Sequence, residues 1–286
     1  MLTPSSLDAS GERYRQTRTR HWDAVATKRD SWSGLGGAYH ARLRDIYSFL
    51  TVPGLRILEV GCGQGELLSA LRPSRGVGVD FAPQMIRRAR ARYPHLDFIQ
   101  ADAQDLPALD DQFDVIIFSD LINDLWDVEG ALRQVHRLTH PGTRLILNFY
   151  SGLWQLPLGI AQLLGLAAPM LPQNWLTPTD TEGMLRLAGF ESIRSWQEIL
   201  LPLPLAGLFN KILVRLWPFH HLALANFMIA RPQPVRLATE PTVSVIVPAR
   251  NEAGNIASIF QRLPRMGPKT ELIFVEGHSR DDTRAT

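Results

Sequence analysis

The sequence predicts an α/β protein built on a parallel sheet covered on both faces. Two observations carry this. Short apolar runs alternate with helical patterns between Arg56 and Asn148, and the first run ends in a glycine-rich turn. Arg56 to Val60 reads as a strand running into Gly61-Cys62-Gly63-Gln64-Gly65, with a helix from Glu66 to Leu71. Gly76 to Val79 is a second strand ending at Asp80, and Pro83 suits the first turn of a helix reaching Arg92. Asp97 to Ala101 and Phe113 to Phe118 are the next strands. Val128 to Leu138 is helical because Leu132, Val135 and Leu138 recur at helical spacing. Pro141-Gly142 turns the chain into a fifth strand, Thr143 to Asn148. Thr177-Pro178-Thr179-Asp180 starts a helix that stops at Ala188-Gly189-Phe190. A strand from Glu191 to Ile199, a helix around Leu205 to Leu216 and a last strand from Leu222 to Ile229 complete the unit.

Composition narrows the function classes. The 286 residues carry 30 Lys plus Arg against 28 Asp plus Glu, a net charge of +2 that gives no support to nucleic acid as a partner. A hydrophobic content of 45% excludes wholesale disorder. Cys62 is the single cysteine, which excludes an internal disulfide framework and a Cys-based zinc site. No metal is called for, and a reducing cytoplasm is the simplest compartment. Met1 to Glu12 is polar and is not a secretory signal. Leu145 to Thr179 holds no Asp, Glu, Lys or Arg. Polar residues and prolines interrupt it, and no stretch reaches the roughly 20 apolar residues of a membrane span. The expectation is a soluble protein with an uncharged surface or lid.

The expected organisation is a frayed, mixed-charge leader over 1–35, a domain over 36–232, a linker over 233–240 and an incomplete second domain over 241–286. The leader's arginines, Arg13, Arg15, Arg18 and Arg20, are diluted by Glu12, Asp23 and Asp30, so a solvated face is favoured over an anion-binding arm.

Chemistry concentrates at the strand ends. The glycine loop is not the dinucleotide fingerprint, because Glu66 stands where its third glycine belongs, and it is not a P-loop, because Gly-Lys-Ser/Thr is absent. Asp80, ending the second strand, can accept both hydroxyls of a ribose. Asp102, after the third strand, can accept an exocyclic amine such as that of adenine. Both lie on the carboxyl edge, where open α/β sheets bind ligands. Cys62 reads as a small structural residue of the loop rather than a nucleophile.

With these residues the chain resembles the class I S-adenosylmethionine-dependent methyltransferases over about residues 36–232. Glu59 to Gly65 matches the family's acidic-x-Gly-x-Gly-x-Gly loop. The resemblance implies that Glu59, Gly61, Gly63 and Gly65 form the cofactor loop, with Asp80 as the ribose acid. It also implies that Phe81 and Met85 line the adenosine, Asp102 and Ala103 meet adenine, and Ser119 backs the cofactor. It further implies a Rossmann-like seven-stranded sheet, with helices on both faces, whose last strand is antiparallel. The cofactor would be S-adenosylmethionine.

The acceptor is less determined. Ser119-Asp120-Leu121-Ile122-Asn123-Asp124 lacks the Asn/Asp-Pro-Pro-aromatic pattern of enzymes that methylate nucleobase nitrogens. Asp124 and His40 are candidate bases and Tyr150, Trp154 and Trp175 candidate cavity residues, each with a structural reading that weighs more; no catalytic residue is assigned. The uncharged Leu156 to Leu166 segment is one sign of an amphiphilic, lipid-linked acceptor met at a membrane surface. The other is Ile199 to Leu205, followed by Lys211, Leu213, Arg215, Leu216 and Trp217.

Beyond the linker, Val243-Ser244-Val245-Ile246-Val247-Pro248-Ala249-Arg250-Asn251-Glu252 resembles the opening strand and loop of family 2 glycosyltransferases. Glu271 to Thr283 resembles their second strand and acidic nucleotide loop, although Glu276-Gly277-His278 departs from it. The resemblance implies a methyltransferase fused to the first part of a glycosyltransferase.

Overall fold

A computed structural model describes residues 4–28, 34–163, 171–199, 222–234 and 242–286. It divides into two units, Met1–Gln233 and Pro234–Thr286.

The first unit opens with helix α1 (Pro4–Lys28), where the sequence predicts a frayed leader, followed by α2 (Gly34–Leu50). The correction has a physical cause. The face that α1 buries carries Arg18, Trp22 and Ala26, four residues apart, so the most buried position of its middle turn is an arginine at 4% exposure. A hydrophobic pattern does not reveal such a face.

The sheet follows the expected alternation: β1 (Arg56–Val60), α3 (Glu66–Ala70), β2 (Arg75–Asp80), α4 (Pro83–Arg92), β3 (Asp97–Gln100), β4 (Val115–Ser119), α5 (Val128–His136) and β5 (Arg144–Tyr150). Then come α6 (Gln155–Leu163), α7 (Pro178–Leu187), β6 (Phe190–Glu198) and β7 (Ala225–Pro232). The strand order is β3-β2-β1-β4-β5-β7-β6. β1 to β5 are parallel to one another, whereas β7 is antiparallel to both β5 and β6. This is the seven-stranded sheet with an antiparallel last strand that the sequence implied, although that strand begins at Ala225 rather than Leu222. The expected helix at 205–216 lies outside the described residues.

Alternation along single strands explains why both faces are covered. In β4, Ile116 and Phe118 belong to one apolar cluster, with α5 and α7, while Val115 and Ile117 belong to another, with α2, α3 and α4. Period-two side chains of a parallel strand need partners on both sides. Helix starts are chemically fixed. The Asp127 carboxylate accepts the Gly130 N–H at 2.8 Å, and Thr177 and Asp180 form a reciprocal capping box ahead of Pro178.

On α6, Leu156 is 79% exposed and Leu163 88%. Among the described residues no helix is long and apolar enough to cross a membrane. The second unit consists of β8 (Val243–Ala249), α8 (Ala253–Arg262) and β9 (Thr270–Glu276), with the two strands parallel and Val243 opposite Thr270.

Candidate functional site

The β1–α3 turn is shaped by backbone conformations that glycine adopts most easily. Gly61, Gly63 and Gly65 all have positive φ, and Gly65 is the N-cap of α3. A Cβ on Gly61 would come within 2.9 Å of Leu121, and one on Gly65 within 2.6 Å of Phe98, so the loop packs tightly on its underside. A Cβ on Gly63 would meet no atom within 4 Å. The loop is closed beneath and open above. Glu59, buried in β1, accepts the Leu68 N–H at 3.0 Å and so ties strand to helix. Burial pushes its pKa up to about 8, against the pull of that bond.

Asp80 stands at the end of β2. One carboxylate oxygen accepts the Gly63 N–H and the other the Ala82 N–H, each at 2.9 Å. Burial raises its pKa to about 6 although both bonds favour the anion. The carboxylate thus holds the glycine loop at a fixed height over the sheet edge. Asp102, after β3, accepts the Gln104 N–H at 2.9 Å and pairs with Arg15 of α1 at 3.4 Å.

Two cavities lie over this edge. The first, about 170 Å³, is bounded by the loop (Gly61, Cys62, Gly63, Gln64), by Glu59, Asp80, Phe81, Met85, Ser119 and Asp120, and by Trp22, Val25, His40 and Arg44 from the two leading helices. The second, about 260 Å³, is bounded by Asp102, Ala103, Gln104 and Trp126, with Tyr14, Arg15 and Arg18 of α1. Phe81 and Asp124 border both.

Helix α1 forms a wall of each cavity through one dense junction. Arg18 Nε donates to the Asp124 carboxylate at 2.8 Å and to the Asp124 carbonyl at 3.0 Å. The Trp22 indole N–H donates to the other carboxylate oxygen at 2.7 Å. The Arg18 guanidinium lies 3.4 Å above the Tyr14 ring, and the Arg18 side chain is only 5% exposed. Asp23 caps α4 by accepting the Gln84 N–H at 2.9 Å.

Just beyond β4, Asp120 adopts φ 53, a left-handed backbone that few residues other than glycine, asparagine and aspartate take up. Its Oδ1 accepts the Tyr39 hydroxyl at 2.7 Å and also the Asn148 amide, while the other side of Asn148 accepts the Tyr47 hydroxyl at 2.7 Å.

Nine of the ten residues expected at the cofactor line these two cavities. Gly65 does not, and shapes the turn beneath them. Of the two candidate bases, Asp124 is committed to Arg18 and Trp22. His40 borders the first cavity with its pKa pushed down to about 4 by burial and by Arg44. Tyr150, Trp154 and Trp175 line neither cavity; Tyr150 packs against Tyr39, and the Trp154 indole donates to the Leu222 carbonyl at 2.8 Å. The sequence reading missed Arg18, Trp22 and Asp120. Only Asp120 had a local signal, as the residue that follows a strand ending at the sheet's carboxyl edge. Cys62 is buried in the loop, with its pKa raised by burial and by the nearby Asp80 and Glu59, as a packing residue rather than a thiolate requires.

Comparison with known proteins shows the family and the fold. The methyltransferase-domain family matches residues 58–147. The 2-phytyl-1,4-naphtoquinone methyltransferase of Thermosynechococcus vestitus is 30% identical over 190 residues, which is 56% of this chain and 83% of that one. The demethylmenaquinone methyltransferase of Thermus thermophilus is 36% identical over 100 residues, 32% of this chain and 46% of that one. The chain thus spans most of the first relative and less than half of the second. Among solved structures, an S-adenosylmethionine-dependent methyltransferase from Mesorhizobium loti superposes with TM-score 0.52 at 22% identity, covering 69% of this chain and all 100% of that one. The magnesium protoporphyrin IX methyltransferase of Synechocystis PCC 6803 with bound SAH superposes with TM-score 0.51 at 16% identity, covering 79% and 99%. These two carry the fold. The protein belongs to the S-adenosylmethionine-dependent methyltransferases.

The open space above Gly63 and the two acids at successive strand ends fit S-adenosylmethionine. That cofactor supplies a methyl group already activated on a sulfonium. The protein then has to align the acceptor and, where the attacking atom carries a proton, accept it.

Proposed function

We propose that this methyltransferase acts on an amphiphilic small molecule, a ring or other polar head on an apolar chain, at a membrane surface. The observation that carries the reading is the uncharged helix α6, whose Leu156, Ile160 and Leu163 are exposed. Apolar side chains without charged neighbours are the composition of a surface that meets lipid. The relatives named above are methyltransferases of a phytyl naphthoquinone and of demethylmenaquinone, which supports an acceptor of that physical kind. Of the second apolar segment, which begins at Ile199 and reaches Trp217, Ile199 is buried and the rest lies outside the described residues.

In this reading Gly63 leaves the space above the loop open to the cofactor, Gly61 and Gly65 shape the turn that carries it, and Glu59 anchors the loop. Asp80 takes the ribose, Phe81 and Met85 enclose the adenosine, Asp102 and Ala103 meet adenine, and Ser119 backs the methionyl side. The 241–286 segment is read as the opening β-strand, helix and second strand of a family 2 glycosyltransferase, on the strength of residues 243–252 and 271–283 and their parallel pairing.

Incubation with tritiated S-adenosylmethionine and a bacterial extract, followed by separation into lipid and aqueous fractions, tests the acceptor class. Label is expected in the lipid fraction, together with co-sedimentation on anionic vesicles. Label confined to water-soluble small molecules, with no vesicle binding at low salt, would falsify the membrane reading.

A further inference from the structure

We propose that Asp120 takes the proton released by the methyl acceptor, an inference that rests on the methyltransferase reading of this site. Asp120 borders the cavity that also holds the glycine loop and Asp80, one position beyond Ser119 at the end of β4. Its two carboxylate oxygens are unequally used. Oδ1 takes both bonds, from the Tyr39 hydroxyl and the Asn148 amide, and among the described residues Oδ2 has no hydrogen-bond partner. The Tyr39–Asp120–Asn148–Tyr47 chain of bonds fixes the orientation of the carboxylate from two elements, α2 and β5. Its left-handed backbone, φ 53, turns the residue after the strand end instead of letting the strand run on. Strained backbone held in place by surrounding bonds is a recurrent property of reacting residues.

The titratable groups that couple to Asp120 are Tyr39 and Tyr47 from α2 and Tyr150 from β5. His40 and Arg44 of α2 line the same cavity with Glu59, Glu66, Asp80 and Asp124, and of these carboxylates Glu59 and Asp80 are bonded to backbone N–H groups. The three phenols have pKa values pushed up by burial and by Asp120 itself, so they remain neutral. Asp124 is paired with Arg18. Burial pushes the Asp120 pKa up to about 7, against the bonds from Tyr39 and Asn148, which lower it. A base with that value is poised for work at neutral pH.

The inference names a class of acceptor: one whose attacking atom carries a proton, a ring hydroxyl or an activated ring carbon. The acceptor's electron pair forms the new bond to the methyl carbon. The sulfur–methyl bond breaks, with its electrons returning to sulfur to leave a neutral thioether. The acceptor's proton passes to Oδ2 of Asp120 and then to solvent.

Two variants and three readouts test this. Asp120→Asn keeps the size and tolerates positive φ, and Asp120→Gly removes the side chain with no backbone strain. The expected results are S-adenosylmethionine affinity by calorimetry within about threefold of the native chain, and label transfer to a reduced membrane-lipid extract lowered by about a hundredfold or more. Added formate should partly restore transfer in Asp120→Gly. Of the infrared carboxyl bands that titrate between pH 6 and 8, to which Asp80 and Glu59 also contribute, one midway in that range should be lost in Asp120→Asn. Transfer by Asp120→Asn close to the native rate overturns the proposal. So does loss of cofactor affinity in parallel with transfer, which would place Asp120 in the cofactor cradle. A native chain that binds the cofactor and labels neither the lipid nor the aqueous fraction also counts against it. Failure of the native chain to bind S-adenosylmethionine would instead undo the reading beneath it.

Discussion

Asp80 and Asp124 both border the cofactor cavity, and each is held by a different kind of partner. Asp80 is fixed by the backbone N–H groups of Gly63 and Ala82, 17 and 2 positions away in the chain. Asp124 is fixed by the side chains of Arg18 and Trp22, more than 100 positions away on α1. The floor of the cavity is therefore assembled by the turn that also makes the strand end, and it exists as soon as β1 and β2 pair. The wall contributed by α1 depends on one long-range junction in which an arginine is buried. Backbone bonds within a turn survive most substitutions, whereas a buried ion pair is only as good as both of its members.

The comparison can be broken most severely at the wall. Arg18→Ala leaves the Asp124 carboxylate buried with the indole alone, and losing one member of such a pair costs about 3–5 kcal/mol. Limited proteolysis should then cut α1 in the variant and spare the native chain, with a lower melting temperature. Adding Asp124→Asn should recover part of the loss; a double variant as unstable as the sum of the two single ones would mean that the pair is not what holds the helix.

At the floor the expected effect is smaller. Asp80→Ala removes hydrogen bonds to a charged acceptor worth about 1.5–3 kcal/mol, roughly tenfold to a hundredfold in affinity for S-adenosylmethionine. Calorimetry on the folded variant measures this, and unchanged affinity would remove Asp80 from the site.

The mildest probe is pH. Glu59 and Asp120 have pKa values raised to about 8 and about 7, so the folded chain holds their protons after the unfolded chain, with carboxyls near 4, has lost them. Folding then binds protons, and this contribution to stability is fully present below the unfolded values and is lost as pH rises through 7 and 8. Melting of the cofactor-free chain should therefore drop between pH 6 and 8, by at most about 1.4 kcal/mol per unit for each group. Asp120→Asn should flatten that slope.

The same contrast explains what could be read from the sequence. β1 and α4 fall where expected, because a glycine loop ends one and Pro83 begins the other. The loop and the acids at the ends of β2 and β3 were legible for the same reason: each is a local event at a strand end. The last strand, expected over Leu222 to Ile229, runs three residues later, from Ala225 to Pro232. In the fold, Arg231 pairs with Glu191 and Pro232 lies opposite Phe190, so the strand runs on to the end of its neighbour. The α1 wall was not legible at all. Its message is carried by an arginine whose partner is known only once the turn after β4 has been brought beside it. Asp120 carries in the sequence only its place after a strand end, since nothing in the one-dimensional pattern marks a carboxylate held on one oxygen only.

Helix α1 also has a consequence in time. Methyl transfer leaves a spent cofactor that has to depart, and a helix forming part of two adjoining cavities stands on the way out. Faster release of the spent molecule from Arg18→Ala than from the native chain is the result expected if that junction has to open first, a gating step of the kind that limits turnover in many enzymes. Substitutions along Arg15, Arg18 and Trp22 would set the tempo of the cycle, while those along the glycine loop would set how firmly each molecule is held.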